Sequence, residues 1–226
     1  MRFDDIIRNF GDMAWFDFEM VHLVSGEAAA CVHTELYRWR QAGKLIELRR
    51  GFFTLAEPWR RRPLDGPELA GGLYEPSYLT GAWALARLGA LPEAAARTPG
   101  GLPRYTSATA RPAKVFENAV GRYEYATLPR DLLFGAAREA ATGAAKGAPA
   151  GAGAACVATP EKALLDWWLI EGGDWDEGRM EAAALDPAPF DIDRLGAAED
   201  RAGRPRLAKA VRAFRRYAAR KGAVQC

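Results

Sequence analysis

Apolar residues at Ile6, Ile7, Phe10 and Met13 recur at helical spacing between Asp4 and Ala14, which predicts a short first helix. Phe18 to Val24 reads as a second helix, closed by Gly26. The Ala-rich run 27–32 tolerates helix and leads into a further helix over about 33–42. Thr34 is the expected N-cap of that helix, and Gly43 lies on its C-terminal side. Leu36 and Trp39 are three apart and share an inward face, leaving Tyr37, Arg38, Arg40 and Gln41 outward. Two strand-like runs, 44–48 and 52–55, flank Arg49-Arg50-Gly51, where glycine permits the positive φ of a tight hairpin. Helices followed by such a hairpin predict a winged helix-turn-helix over residues 1–56.

The pattern then changes. Residues 57–72, EPWRRRPLDGPELAGG, are rich in Pro, Arg and Gly and predict a linker to a second, mixed α/β domain over 73–226. Within it, Tyr78 to Leu88 has helical spacing, closed by Gly89 and Pro92. Arg104 to Ala110 is extended, and Val115 to Leu128 predicts a hairpin or bent pair around Gly121 with Tyr123 and Tyr125 on one face. Residues 135–155 are dominated by Gly and Ala, and 142–154 is expected to be a mobile surface loop. A short buried strand over 156–158 precedes a helix with Thr159 at the N-cap, Pro160 at its first position, and a stripe of Ala163, Leu164, Trp167 and Trp168. The chain closes on an amphipathic helix, 205–222. Leu207, Val211, Phe214 and Ala218 form one face, and Lys209, Arg212, Arg215, Arg216 and Arg220 lie on the others. The fold class expected is α/β (α+β).

With 226 residues and 49% hydrophobic content the chain has ample material for a core, which excludes global disorder. The net charge of +2 says little, but its distribution says more. Between 36 and 62, eight basic residues face Glu47 and Glu57 alone, and from Arg201 onward there are nine basic residues and no acid. The three cysteines, Cys31, Cys156 and Cys226, lack framework spacing and suit a reducing compartment. The acidic N-terminus is unlike a signal peptide, and no run approaches the length of a membrane span. A cytoplasmic protein without a membrane partner is expected.

The charge excess falls on the third helix and the hairpin together, and this points to double-stranded DNA. Thr34, Tyr37, Arg38 and Gln41 fit base or sugar contacts, and Lys44, Arg49 and Arg50 fit phosphates. The competing reading is a protein-contact module with solvated arginines. The basic terminal helix is less specific: it either packs its apolar face and solvates the rest, or meets an acidic toxin, tRNA or DNA.

Catalytic patterns are absent. His22 and His33 are the only histidines, and Cys31-Val32-His33 has no second ligand pair to make a zinc site. GAPAGAG lacks the Lys-Ser/Thr of a phosphate loop, and no G-x-S-x-G elbow occurs. Glu161-Lys162, after a strand-like run, has the look of a nuclease pair. It is more simply a helix-start dipole contact with a solvated lysine. No catalytic residue, metal or cofactor is expected.

Five segments in order carry a resemblance: RWRQAGKLIELRRGFFTL, PSYLTGAWALARLGALPE, TSATARP, GRYEYATLPRDLLFG and ATPEKALLDWW. Over residues 17–170 the chain resembles the AbiEi antitoxins of bacterial type IV toxin–antitoxin (abortive infection) systems, and the tail after Gly173 lies outside the resemblance. It implies a phage-defence antitoxin whose winged helix binds inverted repeats in its own promoter and represses its operon. It also implies a second domain that counteracts a cognate nucleotidyltransferase-like toxin, directly or indirectly. A contact surface there is expected near Arg111, Glu161 and Lys162, which sit inside the family-like segments, with Asp166 as a structural hydrogen-bonding or surface position. Two rivals stand beside this non-enzymatic reading. One is a winged-helix regulator with a ligand-sensing or assembly domain, and the other is a nucleic-acid-processing enzyme built on residues 134–169.

Overall fold

Two hydrophobic clusters organise the chain in the computed structural model, which describes residues 1–140 and 154–224. The fold is mixed α/β. The smaller cluster belongs to an N-terminal unit that runs α1 (Phe3–Phe10), β1 (Phe16–Asp17), α2 (Phe18–Ser25), α3 (Ala29–Gln41), β2 (Leu45–Arg49) and β3 (Phe52–Leu55). Its antiparallel sheet has the order β1-β3-β2. Val32, Leu36 and Trp39 on one side of α3 pack with Ile6, Phe10, Phe16 and Leu55, and fully burying each large side chain stabilises by about 1.5–3 kcal/mol.

Helix α3 starts at Ala29, earlier than the residue 33 expected from the pattern, because the alanine run continues the helix without any capping side chain. Thr34 is therefore not an N-cap. It sits inside the helix, and its hydroxyl donates to the Ala30 carbonyl at 2.8 Å. The hairpin forms as expected, with Gly51 at φ 78°.

The larger unit comprises α4 (Gly66–Leu73), β4 (Tyr78–Leu79), α5 (Gly81–Arg87), β5 (Arg104–Thr109), β6 (Lys114–Asn118), β7 (Gly121–Thr127), β8 (Ala136–Ala140), β9 (Ala154–Ala158), α6 (Pro160–Glu171), α7 (Glu177–Ala182), α8 (Ile192–Ala202) and α9 (Pro205–Val224). Its sheet has the order β6-β7-β5-β4-β9-β8, with β5/β7 and β4/β9 parallel. Tyr123 and Tyr125 both point into the core, as their alternation predicts.

Three segments differ from their sequence pattern. The second half of 57–72 is no linker: it is α4, whose Leu69, Ala70 and Leu73 are buried in the larger core. Tyr78 and Leu79 form a strand rather than a helix start, because extended Thr80 and positive-φ Gly81 delay the helix. Ala136 to Ala140, in the Gly/Ala-rich stretch, is an edge strand paired with β9. The expected loop 142–154 lies outside the described residues except for Ala154, which opens β9.

The two units touch along the hairpin. Asn118 on β6 donates through Nδ2 to the Leu48 carbonyl of β2 at 3.1 Å, and Leu48 is buried in the larger core. At Gly72 a Cβ would come within 2.1 Å of Trp15 Nε1, so glycine is what lets α4 approach the N-terminal unit.

Candidate nucleic-acid interface

Val32, Leu36 and Trp39 fix the rotation of α3, and its opposite side is left to solvent. Ala30, Thr34, Tyr37 and Gln41 follow one another along that outer side at helical spacing, with Arg38 on its flank, and all five are exposed. The glycines at either end set the boundaries. Gly26, at φ 64°, donates to the His22 carbonyl and ends α2, and Gly43, at φ 69°, releases the chain into β2.

Two carboxylates organise the surrounding charge. Glu35 accepts from Arg38 at 3.0 Å along the helix. Glu47 accepts from Arg40 across to α3 and from the Gly51 amide at 3.2 Å, so it ties the helix to the hairpin turn. Lys44 and Arg50 have no carboxylate partner among the described residues. Lys44 lies 4.6 Å from the Phe3 ring centroid, and Arg50 is exposed at the tip. Such exposed pairs contribute little to stability, and Arg38 and Arg40 stay exposed and positioned by them.

Arg49 is placed differently from its neighbour. Its guanidinium lies 3.4 Å over the Phe52 ring and 5.7 Å from that of Phe116 on β6. Burial pushes its pKa below the ordinary arginine value, opposed by Tyr125 and Asp17. Arg49 thus faces the contact between the units, whereas Arg50 faces solvent. Arg49 is the last residue of β2, and Arg50 already lies in the turn.

The second group of nominated residues does not form one surface. Arg111 is exposed, donates to the Glu75 carbonyl at 2.6 Å and stacks over Tyr74 at 4.3 Å. Glu161 and Lys162 are buried, which corrects both the solvated lysine and the contact surface expected there. Glu161 accepts from the Asp191 amide at 3.3 Å. The Lys162 ammonium is hydrogen-bonded to Asp166, whose other oxygen accepts from Tyr78 at 2.9 Å and Thr80 at 2.8 Å. Burial lowers the Lys162 pKa and raises that of Asp166, and each charge holds the other against that shift. The cluster fastens α6 to β4. Of the two positions expected for Asp166, structural hydrogen bonding or surface, it takes the first, and its partners Tyr78 and Thr80, distant in the chain, are not legible in its local sequence. The Lys-x-x-x-Asp spacing was the available signal.

Elsewhere the described residues hold no grouping of His, Cys, Asp and Glu able to bind a metal. His33 stacks on Phe18 at 4.1 Å, and Cys31 is exposed. Helix α9 buries Leu207, Val211, Phe214 and Tyr217. Several of its cations pair with the unit it packs on: Lys209 with Asp174 at 2.7 Å, Arg216 with Glu177 at 2.9 Å, and Lys221 with Glu181 at 2.7 Å. No helix among the described residues is long and apolar enough to cross a membrane.

No protein-family model matches the chain, and neither a curated protein nor a solved structure does.

Proposed function

We propose that this chain is the non-enzymatic antitoxin of a type IV toxin–antitoxin system, and that its N-terminal unit is a winged helix-turn-helix that binds promoter DNA and represses its own operon. The observation that carries the DNA-binding part is the joint exposure of Tyr37, Arg38 and Gln41 on α3, beside Lys44 and Arg50, which have no carboxylate partner among the described residues. The order helix, strand, two helices and hairpin, with the sheet order β1-β3-β2, supports the winged-helix assignment. In this reading α3 enters the major groove, its outer side chains read base edges, and the hairpin tip holds phosphate. Two copies on inverted repeats would set the spacing of the half-sites.

The antitoxin part rests on the ordered segments that resemble AbiEi proteins, with the larger unit counteracting a nucleotidyltransferase-like toxin in the cytoplasm. Of the residues nominated for a toxin contact, exposed Arg111 remains eligible, and buried Glu161 and Lys162 serve the interior. A second reading, a regulator without a toxin, is favoured by one feature: β2 is bonded to β6 through Asn118 and Leu48, so a change in the larger unit has a direct path to the hairpin.

Fluorescence anisotropy of the purified protein against its own upstream DNA and a scrambled duplex, over several salt concentrations, tests the DNA-binding part. Selective binding with a steep salt dependence is expected. Absence of selectivity at every salt concentration would remove it. Genomic context and co-expression separate the two readings: the antitoxin reading requires a nucleotidyltransferase-like gene next to this one whose toxicity the protein relieves, and absence of such a gene removes it.

A further inference from the structure

The outer side of α3 divides into two chemically different halves. From residue 28 to 34 the side chains turned to solvent are Ala28, Ala29, Ala30, Cys31, His33 and Thr34. His33 has a ring face stacked on Phe18, and Thr34 spends its hydroxyl proton on the Ala30 carbonyl. What Ala30 and Thr34 present along the outer line is therefore two methyl groups, with no outward hydrogen-bond donor and no charge. From residue 37 onward the same line carries Tyr37 and Gln41, with Arg38 on its flank, all of them donors.

We infer that the first half of α3 reads thymine: the Ala30 and Thr34 methyl groups contact the 5-methyl groups of thymines in the major groove, next to bases read by Arg38 and Gln41. This rests on the DNA-binding reading above and adds a specificity to it. Recognition helices place their N-terminal residues against base edges, and thymine alone of the four bases offers a methyl group in that groove. A cytosine or adenine there would give the Ala30 and Thr34 methyl groups no methyl to pack on, and its amino group would find only the Thr34 hydroxyl oxygen as an acceptor. Charge selects DNA over an apolar protein partner. Among the described residues Lys44, just beyond the end of the same helix, and Arg50, on the hairpin, have no carboxylate partner, while Glu35 and Glu47 are each occupied by an arginine.

The experiment uses the full-length protein and a randomised duplex pool. The enriched duplex is synthesised twice, once with thymine and once with uracil, which differs only by the absent methyl. Binding is then measured for wild type and for Thr34→Ser, a variant that keeps the hydroxyl bond within the helix. Wild type is expected to bind the uracil duplex about fourfold more weakly for each thymine methyl that the helix touches. Thr34→Ser should bind the thymine duplex more weakly and lose one such factor of the uracil penalty. Equal affinity of wild type for the two duplexes overturns the inference and leaves DNA binding standing, as does an undiminished uracil penalty in Thr34→Ser. Failure to enrich any sequence overturns DNA binding itself and returns the exposed alanines to the role of a protein contact.

Discussion

Helices α3 and α6 each carry polar residues that their sequence nominates for contact with a partner, and they dispose of them in opposite ways. On α3 the apolar residues Val32, Leu36 and Trp39 form a single stripe, and Tyr37, Arg38 and Gln41 lie outside. On α6 every residue from Glu161 to Trp168 is buried. A helix that is apolar on all sides is an interior helix, so any charged residue it carries must find its partner inside the protein. Lys162 finds Asp166, and Asp166 finds Tyr78 and Thr80. Charge counts as surface only after the apolar periodicity of its own element has been read.

The largest effect is expected from removing the centre of the buried cluster. Asp166→Ala strands the Lys162 ammonium in the core and leaves the Tyr78 and Thr80 hydroxyls without their acceptor. A loss of about 3–5 kcal/mol is expected in chemical denaturation. A loss below about 1 kcal/mol would place the pair in contact with water. The counterpart on α3 behaves in the reverse sense. Arg38→Ala should leave the denaturation midpoint nearly unchanged and cost about 1–3 kcal/mol at a preferred DNA site if it reads a base, measured by anisotropy on preferred and scrambled duplexes. Equal weakening on both duplexes would make Arg38 a phosphate contact.

Much of the fold is legible in the pattern of apolar residues, and its failures have local causes. The inward faces of α3, β7 and α9 follow from Leu36 and Trp39, from Tyr123 and Tyr125, and from Leu207, Val211 and Phe214. The start of α3 is hard to place because alanine is compatible with both helix and connection, and threonine bonds to a helix carbonyl as readily as it caps. Strand β8, AAREA, has no alternation to recognise, and its place is set by pairing with β9. Helix α4 is obscured by Pro67 and three glycines, Gly66, Gly71 and Gly72; what stabilises it is the burial of Leu69 and Leu73. The candidate interface is legible as a set of residues. That Arg49 and Arg50 separate depends on the approach of β6, which no local pattern encodes.

That separation carries the two smaller effects. Arg49→Ala should act on stability rather than on DNA, since it removes a guanidinium held between Phe52 and Phe116. About 0.5–2 kcal/mol is expected, with the salt dependence of DNA binding unchanged. Arg50→Ala should do the opposite, because its side chain is exposed at the hairpin tip. Removing one phosphate contact lowers the slope of log affinity against log salt by about 0.9, so Arg50→Ala is expected to flatten the slope by that amount at constant stability. The pair of variants is informative because one residue controls for the other: they share the hairpin and the charge and stand next to each other in the chain, but Arg49 ends β2 against the larger unit and Arg50 lies in the exposed turn. If both variants flattened the slope equally, Arg49 would have to leave its place between the two rings when DNA binds, and the contact between β2 and β6 would open with it.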